Sequence, residues 1–116
     1  MRVFKEFTFE AAHRLPNLPK SHKCYHLHGH NYRVRVECEG PLHPDLGWVV
    51  DFGIIDAVAK QITGIIDHKY LNDIEGLDNP TAEIIAEWIL ARLKLTMLPV
   101  KSVTVWETVD CGAIAE

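Results

Sequence analysis

Two histidines, His28 and His30, stand at alternate positions of a segment whose apolar and polar residues alternate from His28 to Cys38. A β-strand directs every second side chain to the same face, so the two imidazoles project side by side, as two ligands of one metal ion must. Gly29 between them leaves room for this approach. The pair therefore predicts a metal site, because two unpaired imidazoles on an apolar face would be costly.

A third nitrogen could come from His13, which ends an aromatic-rich segment and shares the parity of Phe7 and Phe9. Three histidines leave one position of a tetrahedral zinc ion open, which is typical of catalytic rather than structural zinc. The alternative for each histidine is a hydrogen-bonded core residue. Three further histidines are assigned to solvent-exposed loops: His22, His26 and His43.

A cysteine, Cys24, lies four residues before His28 in a predicted loop, from which it could enter the same cavity. It could be a fourth metal ligand, a nucleophile, a general base or an inert thiol. A thiol that stands near zinc without binding it ionises more readily and can take a proton from carbon. Cys38 and Cys111 are interpreted as structural, and this odd set of cysteines does not predict a disulfide framework.

Acidic residues mark two further candidate positions. Asp67 directly precedes His68 after a predicted helix, so the carboxylate could orient the imidazole, although a solvated helix end explains the pair equally well. Glu107 continues the parity of Val103 and Val105, and a carboxylate in line with core residues needs partners. It could accept two parallel N–H donors from the amidine edge of a guanine-like or pterin ring. Alternatively, it could form a buried salt bridge or leave the core at the end of the strand.

The elements that position these residues follow from the hydrophobic pattern. Alternation predicts strands over residues 3–13 and 28–38, a short strand in WVVDF at 48–52, one after Pro99 and a final one at 111–115. Helical spacing predicts one helix over 53–66, with Asp51 as its cap, and a second beginning near Asn79 or Thr81. Pro80 could take the first position of the second helix.

Without the short WVVDF segment, the order of these elements is strand, strand, helix, helix, strand, strand. This order predicts an α+β fold, in which a four-stranded antiparallel sheet carries two helices on one face. The apolar stripes expected to pack on the sheet are Ile54, Ile55, Val58, Ile62, Ile65 and Ile66 in the first helix, and Ile84, Ile85, Trp88, Ile89 and Leu93 in the second.

The composition limits the class of protein. At 116 residues, with 47% hydrophobic and 24% charged residues, residues 1–116 are expected to form a single globular domain. A net charge of −4 without a basic stripe argues against nucleic acid as a partner. No apolar run is long enough to cross a membrane, and no secretory signal is apparent, so we expect a cytoplasmic protein.

Six motifs together, FEAAHRL, KCYHLHGHNY, WVVDF, DHKYLND, NPTAE and WET, resemble the 6-pyruvoyltetrahydropterin synthase superfamily over essentially the whole chain. The resemblance implies the T-fold (tunnelling fold), in which the sheets of several subunits form an oligomeric barrel with active sites between subunits. It further implies a homohexamer built as a dimer of trimers. Such assembly fits a small chain whose sheet edges would otherwise be exposed.

The same resemblance implies roles for particular residues. The counterparts of His13, His28 and His30 bind Zn²⁺, and Cys24 matches the catalytic cysteine. Two residues match its partners in proton transfer: Asp67 and His68. Three match residues that bind or line the site of the pterin: Glu107 as the anchor, with Thr81 and Glu83 in the pocket wall. The chain departs from the family pattern at Ile84, where many relatives have asparagine.

Within the superfamily, the short spacing from Cys24 to HGH resembles the 6-carboxytetrahydropterin synthase branch of queuosine (7-deazaguanine) biosynthesis. That branch implies a zinc-dependent lyase that converts 7,8-dihydroneopterin triphosphate into 6-carboxytetrahydropterin, acetaldehyde and triphosphate. One alternative is a 6-pyruvoyltetrahydropterin synthase, which eliminates triphosphate without cleaving the side chain. The other is a non-catalytic zinc-binding or pterin-binding module in which Cys24 completes a four-ligand site.

Overall fold

A computed structural model describes all of residues 1–116. Five strands form one open sheet in the order β3-β1-β2-β4-β5, and two helices accompany it. The elements are β1 (Arg2–His13), β2 (His28–Glu39), α1 (Phe52–Ile66), β3 (Lys69–Tyr70), α2 (Ala82–Lys94), β4 (Val100–Trp106) and β5 (Gly112–Ala115). All pairings are antiparallel except that between β1 and β3. Neither helix has the length and apolar character needed to span a membrane.

Strands β1 and β2 are the two longest strands and lie side by side in the sheet. Their antiparallel register places His13 opposite His28 and Ala11 opposite His30. Further along, Phe9 stacks on its partner Tyr32 with ring centroids 4.7 Å apart. The alternation predicted from the sequence is confirmed here, since odd positions of β1 and even positions of β2 face the core.

Both helices begin at the predicted caps. The Asp51 side chain accepts a hydrogen bond from the Gly53 amide, and the Thr81 hydroxyl accepts one from the Ile84 amide. Thr81, rather than Asn79, is therefore the cap of α2. The prediction of Pro80 as the first helical residue was wrong, because Pro80 precedes the cap.

The core lies between the sheet and the helices. Buried side chains of α1 and α2 pack on one face of β1, β2 and β4: Ile55, Ile62, Ile66, Ile85, Ile89, Leu93, Phe9, Tyr32, Val34, Val36, Val103 and Val105. The predicted stripe of α1 was too wide, because Ile54 and Ile65 are 52% and 42% exposed. Cys38 is buried, and its burial raises the pKa of its thiol.

Two other predictions about strands were wrong. WVVDF forms no strand, because residues 43–48 close into turns, with the His43 amide donating to the Trp48 carbonyl, and Asp51 already caps α1. The sheet has five strands rather than four, because Lys69 and Tyr70 pair with Ala11 and Ala12 in parallel.

Candidate active site

Three histidines converge at the end of the β1/β2 pair. The nitrogens that His13, His28 and His30 could offer to a metal ion all lie within 4.8 Å of one another. His13 and His28 face each other across the strand pair, and their Nε2 atoms are 2.9 Å apart. His13 is only 1% exposed, and the cluster opens through the partly buried His28 and His30. The group could hold a metal ion.

Backbone carbonyls hold two of the rings in place. His13 donates from Nδ1 to the Pro80 carbonyl at 2.8 Å, and His28 donates from Nδ1 to the His26 carbonyl at 2.7 Å. In a neutral imidazole the other nitrogen then carries a lone pair. Such carbonyl partners are typical of metal-binding histidines, because they fix the tautomer and direct Nε2 at the ion.

The third ring provides a separate test of fit. His30 Nε2 is buried and has no hydrogen-bond partner. A buried polar atom without a hydrogen-bond partner lowers the stability of the fold by about 1–3 kcal/mol. The unpaired His30 Nε2, beside the lone pairs of His13 and His28, therefore requires an explanation. A cation shared by the three nitrogens supplies one, and the donor set fits a metal such as zinc.

Burial also sets the protonation of this cluster. It lowers the pKa of His13 to about 4. It lowers the pKa of His30 as well, against the opposing effect of the Glu107 carboxylate. Both imidazoles are therefore neutral near pH 7, as metal ligands must be. Behind them Tyr32 is fully buried, with its hydroxyl 3.2 Å from His13 Nδ1, and burial raises the pKa of this phenol.

Cys24 lies on a short 3₁₀ turn, Lys23–Tyr25, next to the histidines. The Leu15 amide donates to the Cys24 carbonyl at 2.8 Å, and the Cys24 amide donates to His22 Nδ1 at 3.0 Å. These bonds hold the partly buried thiol at a cleft of about 450 Å³. The lining residues are Lys23, Cys24, His28, His30, Glu107, Thr108 and Cys111.

Glu107 joins this cleft to a second one. It follows the last residue of β4, is partly buried, and is held by its amide, which donates to the Cys111 carbonyl at 3.0 Å. The second cleft, of about 310 Å³, is lined by Thr81, Glu83 and Glu107 among others. The Thr81 hydroxyl also serves as the cap of α2, so a ligand there would share it with the Ile84 amide.

The Asp67 and His68 pair lies apart from Cys24 within one chain. His68 Nδ1 is 2.9 Å from Asp67 Oδ1, and its Nε2 is 3.4 Å from a Glu10 carboxylate oxygen. Glu10 belongs to the face of β1 opposite His13, because successive residues of a strand alternate. His68 and Glu10 line a different cleft, of about 540 Å³, whose lining also includes His30 of the histidine cluster.

Glu10 also anchors this pair through its backbone. Its amide donates to Asp67 Oδ1 at 3.0 Å, and its carbonyl accepts from the His68 amide at 2.6 Å. The first of these bonds, followed by the contact with His68, lowers the pKa of Asp67. His68 is the only non-glycine residue with a positive φ, at 56°, and the turn it makes brings Lys69 alongside β1.

Sequence reasoning missed several residues of these clefts. Glu10 stands in the FEAAHRL motif, but its contact with His68 joins positions far apart in the chain. Cys111, which was interpreted as structural, is exposed and lines both clefts that contain Glu107. Lys23 begins the KCYHLHGHNY motif, but no role was predicted for it.

Comparison with known proteins agrees with this arrangement. The family described as 6-pyruvoyl tetrahydropterin synthase matches residues 2–116. The chain belongs to this family. The family resemblance seen in the motifs is thereby confirmed, and so is the α+β T-fold. A solved structure of Caenorhabditis elegans 6-pyruvoyl tetrahydropterin synthase superposes with a TM-score of 0.92 at 26% identity, covering 100% of this chain and 94% of that one.

Two curated relatives in this enzyme family have different names. A Synechocystis protein named 6-carboxy-5,6,7,8-tetrahydropterin synthase is 41% identical over 96% of this chain and 89% of its own length. A Pyrococcus furiosus protein named dihydroneopterin monophosphate aldolase is 32% identical over 99% of this chain and 96% of its own length. Both names describe enzymes that act on pterins.

Proposed function

We propose that the chain is a zinc-dependent 6-carboxytetrahydropterin synthase, which converts 7,8-dihydroneopterin triphosphate and water into 6-carboxytetrahydropterin, acetaldehyde and triphosphate. The observation that carries this proposal is one cleft lined by Cys24, His28, His30 and Glu107. It offers a thiol, a candidate metal centre and a carboxylate to a single small ligand. The 41% identity to the Synechocystis enzyme supports the carboxy product, and we place the reaction in queuosine biosynthesis.

In this proposal His13, His28 and His30 hold zinc through the nitrogens that lie within 4.8 Å of one another. When bound, zinc supplies a Lewis acid that acidifies a substrate hydroxyl and polarises a developing carbonyl. The Pro80 and His26 carbonyls keep the His13 and His28 rings in the tautomer that leaves Nε2 free.

Glu107 anchors the pterin ring, since its carboxylate can accept two parallel N–H donors from the ring's amidine edge. Thr81 and Glu83 line the adjoining cleft and belong to the wall of the ring pocket. The 3₁₀ turn holds Cys24 near the other end of the ring, where its thiolate removes a proton from the side-chain carbon.

Asp67 and His68 return protons to the substrate in this mechanism. His68 contacts Glu10 on the opposite face of β1 from His13, and neither Asp67 nor His68 lines the cleft of Cys24. We therefore propose that the pair serves Cys24 of a neighbouring subunit. A hexamer made of two trimers would place sheets side by side and supply such neighbours. The exposed side chain of His68, at 73%, is available for that contact.

The test is a product assay. Zinc-loaded protein is incubated with 7,8-dihydroneopterin triphosphate, and acetaldehyde is measured together with the mass of the pterin product. We expect both acetaldehyde and 6-carboxytetrahydropterin. A pyruvoyl product without acetaldehyde would instead identify the chain as a 6-pyruvoyltetrahydropterin synthase, and no product from metal-replete protein would favour a binding module.

A second candidate function follows from the Pyrococcus furiosus relative, a dihydroneopterin monophosphate aldolase. An aldolase also breaks a carbon–carbon bond of the side chain, and its product differs because the carbon left on the pterin is an alcohol rather than a carboxylate. Incubation of the protein with the monophosphate substrate in a parallel reaction separates the two. We expect faster turnover of the triphosphate.

A further inference from the structure

The positive charge of the chain is concentrated in one segment. Of 12 Lys and Arg residues, five lie within residues 11–36, whereas none of the 16 Asp and Glu residues does. The remaining residues therefore hold seven cationic and 16 acidic side chains. Of these five cations, Lys23 lines the cleft that contains Cys24 and Glu107.

The cations of the loop between β1 and β2 have no acidic partners. Arg14, Lys20 and Lys23 make no salt bridge, whereas Arg2, Arg35 and Lys60 each pair with a carboxylate. Arg14 instead lies over the Tyr25 ring at 4.8 Å. An unpaired cation that lines a cleft is free to meet an anionic ligand.

Lys23 is the one cation that lines the cleft of Cys24 and Glu107. Backbone bonds fix its position, because the His26 amide donates to the Lys23 carbonyl at 3.3 Å and the Tyr25 amide donates to the His22 carbonyl at 3.1 Å. The base of the side chain is therefore ordered before a ligand arrives, which reduces the entropic cost of binding.

The two charged side chains that line this cleft have opposite signs. Glu107, an acceptor, suits the N–H groups of a ring, whereas Lys23, a donor, suits phosphate oxygens. We infer that Lys23 is the centre of a polyphosphate subsite, which binds the phosphate chain of the substrate and so orients the substrate in the cleft. This inference rests on the proposed function for the identity of the ligand.

The test measures binding of inorganic tripolyphosphate to the zinc-loaded protein by calorimetry. Lys23→Met is expected to weaken this binding by roughly tenfold, as loss of a charge-assisted contact implies, and to raise the KM for the phosphorylated substrate similarly. The affinity for unphosphorylated 7,8-dihydroneopterin should not change. Lys23→Arg, which keeps the charge, should restore most of the binding.

Lys20→Met is the matched control, because Lys20 is an exposed cation of the same loop that does not line the cleft. It is expected to change the affinity less than twofold, as a distant screened charge would. Tripolyphosphate also chelates zinc, so the metal content is measured after each titration. Chelation affects all variants equally, and only the difference between them reports on Lys23.

Each outcome decides the inference. Equal tripolyphosphate affinity for the wild type and Lys23→Met would overturn it, and so would equal losses in the Lys20 and Lys23 variants. A Lys23-dependent affinity in a protein that forms no pterin product would keep the anion subsite and remove the proposed reaction. Product formation that is indifferent to Lys23 would keep the reaction and remove the subsite.

Discussion

His13 Nε2 and His28 Nε2 lie 2.9 Å apart, while the Nδ1 atom of each ring donates to a backbone carbonyl. When each ring carries its proton on Nδ1, the two Nε2 lone pairs face each other at hydrogen-bond distance without a proton between them. A shared cation turns this repulsion into two bonds. His30 Nε2 is buried and unpaired beside them. The carbonyl partners of the two rings, the short distance between their Nε2 atoms and the unpaired His30 nitrogen therefore all indicate a cation at the same position.

The first prediction concerns this centre. His30→Ala removes one nitrogen of the three and should greatly reduce the zinc retained after dialysis, as measured by atomic absorption. In the wild type, zinc at a hundredfold excess over its Kd should raise the free energy of unfolding by about 2.7 kcal/mol. The variant should lose this increase, whereas the exposed His26→Ala control should keep it. Equal zinc retention in both variants would contradict the site.

The second prediction concerns the pH dependence of the metal-free protein. Burial lowers the pKa of His13 to about 4, below its ordinary value of 6.5, so the folded state favours the neutral ring. The stability from this ring is full above pH 6.5 and is lost as the pH falls towards 4, because the unfolded chain takes up the proton first.

Within that window the free energy of unfolding should fall by up to about 1.4 kcal/mol per pH unit for this one proton. Urea denaturation at several pH values measures the slope. His13→Gln cannot take up the proton and should show a shallower slope between pH 6.5 and 4. An identical slope in both proteins would show that His13 titrates normally.

The centre was predictable because it rests on a local rule. Alternation along β1 and β2 placed His13, His28 and His30 on the core face, and the register between the strands needed only their shared periodicity. The hydrophobic pattern of α2 and the cap at Thr81 are local in the same sense. The facing of each histidine and the cap of α2 depend on residues within a few positions of one another, whereas the approach of His13 to His28 also depends on the register between β1 and β2.

The features that were mispredicted depend on distant contacts. Strand β3 follows the hydrogen bond from the His68 amide to the Glu10 carbonyl, which brings Lys69 and Tyr70 alongside β1. No local pattern in Lys69 and Tyr70 indicates that they pair with β1. WVVDF has the composition of a strand, but its Asp51 caps α1 and the residues before it form a turn, so the segment adds no strand to the sheet. The place of Cys111 at the cleft depends likewise on how β5 returns along β4.

The third prediction distinguishes the roles of the two thiols that line the cleft, Cys24 and Cys111. Cys24→Ala should lower kcat by at least roughly a hundredfold, because it removes the proposed general base, while the zinc content stays unchanged. Cys111→Ala is the matched control, since it removes a thiol from the same cleft and should leave kcat within about twofold. Unchanged turnover in Cys24→Ala would remove the catalytic role, and loss of zinc would make Cys24 a ligand.

The fourth prediction concerns the ring anchor. Glu107→Gln keeps the size of the side chain but turns one acceptor into a donor, so it should raise the KM by roughly tenfold or more. The effect should be similar for phosphorylated and unphosphorylated 7,8-dihydroneopterin, because the ring is common to both. Glu87→Gln, an exposed carboxylate on α2, serves as the control. A KM that changes only for the phosphorylated substrate would argue against ring recognition by Glu107.

The fifth prediction follows from the separation of Cys24 and His68 within one chain. Cys24 lines the cleft on the face of the histidine cluster, whereas His68 contacts Glu10 on the opposite face of the sheet. If each active site takes Cys24 from one subunit and His68 from its neighbour, two inactive variants can complement each other. Cys24→Ala and His68→Ala are therefore mixed in equal amounts after dissociation and reassembled.

Random reassembly should restore about a quarter of the wild-type activity, because a site is intact when each of its two subunits contributes the unmodified residue. Each variant reassembled alone should stay inactive, which excludes recovery by refolding. The double variant mixed with wild type controls for dilution of active subunits. If the mixture of single variants gains no activity although mass spectrometry shows mixed oligomers, Cys24 and His68 must act within the same subunit, and the chain would need to rearrange to bring them together.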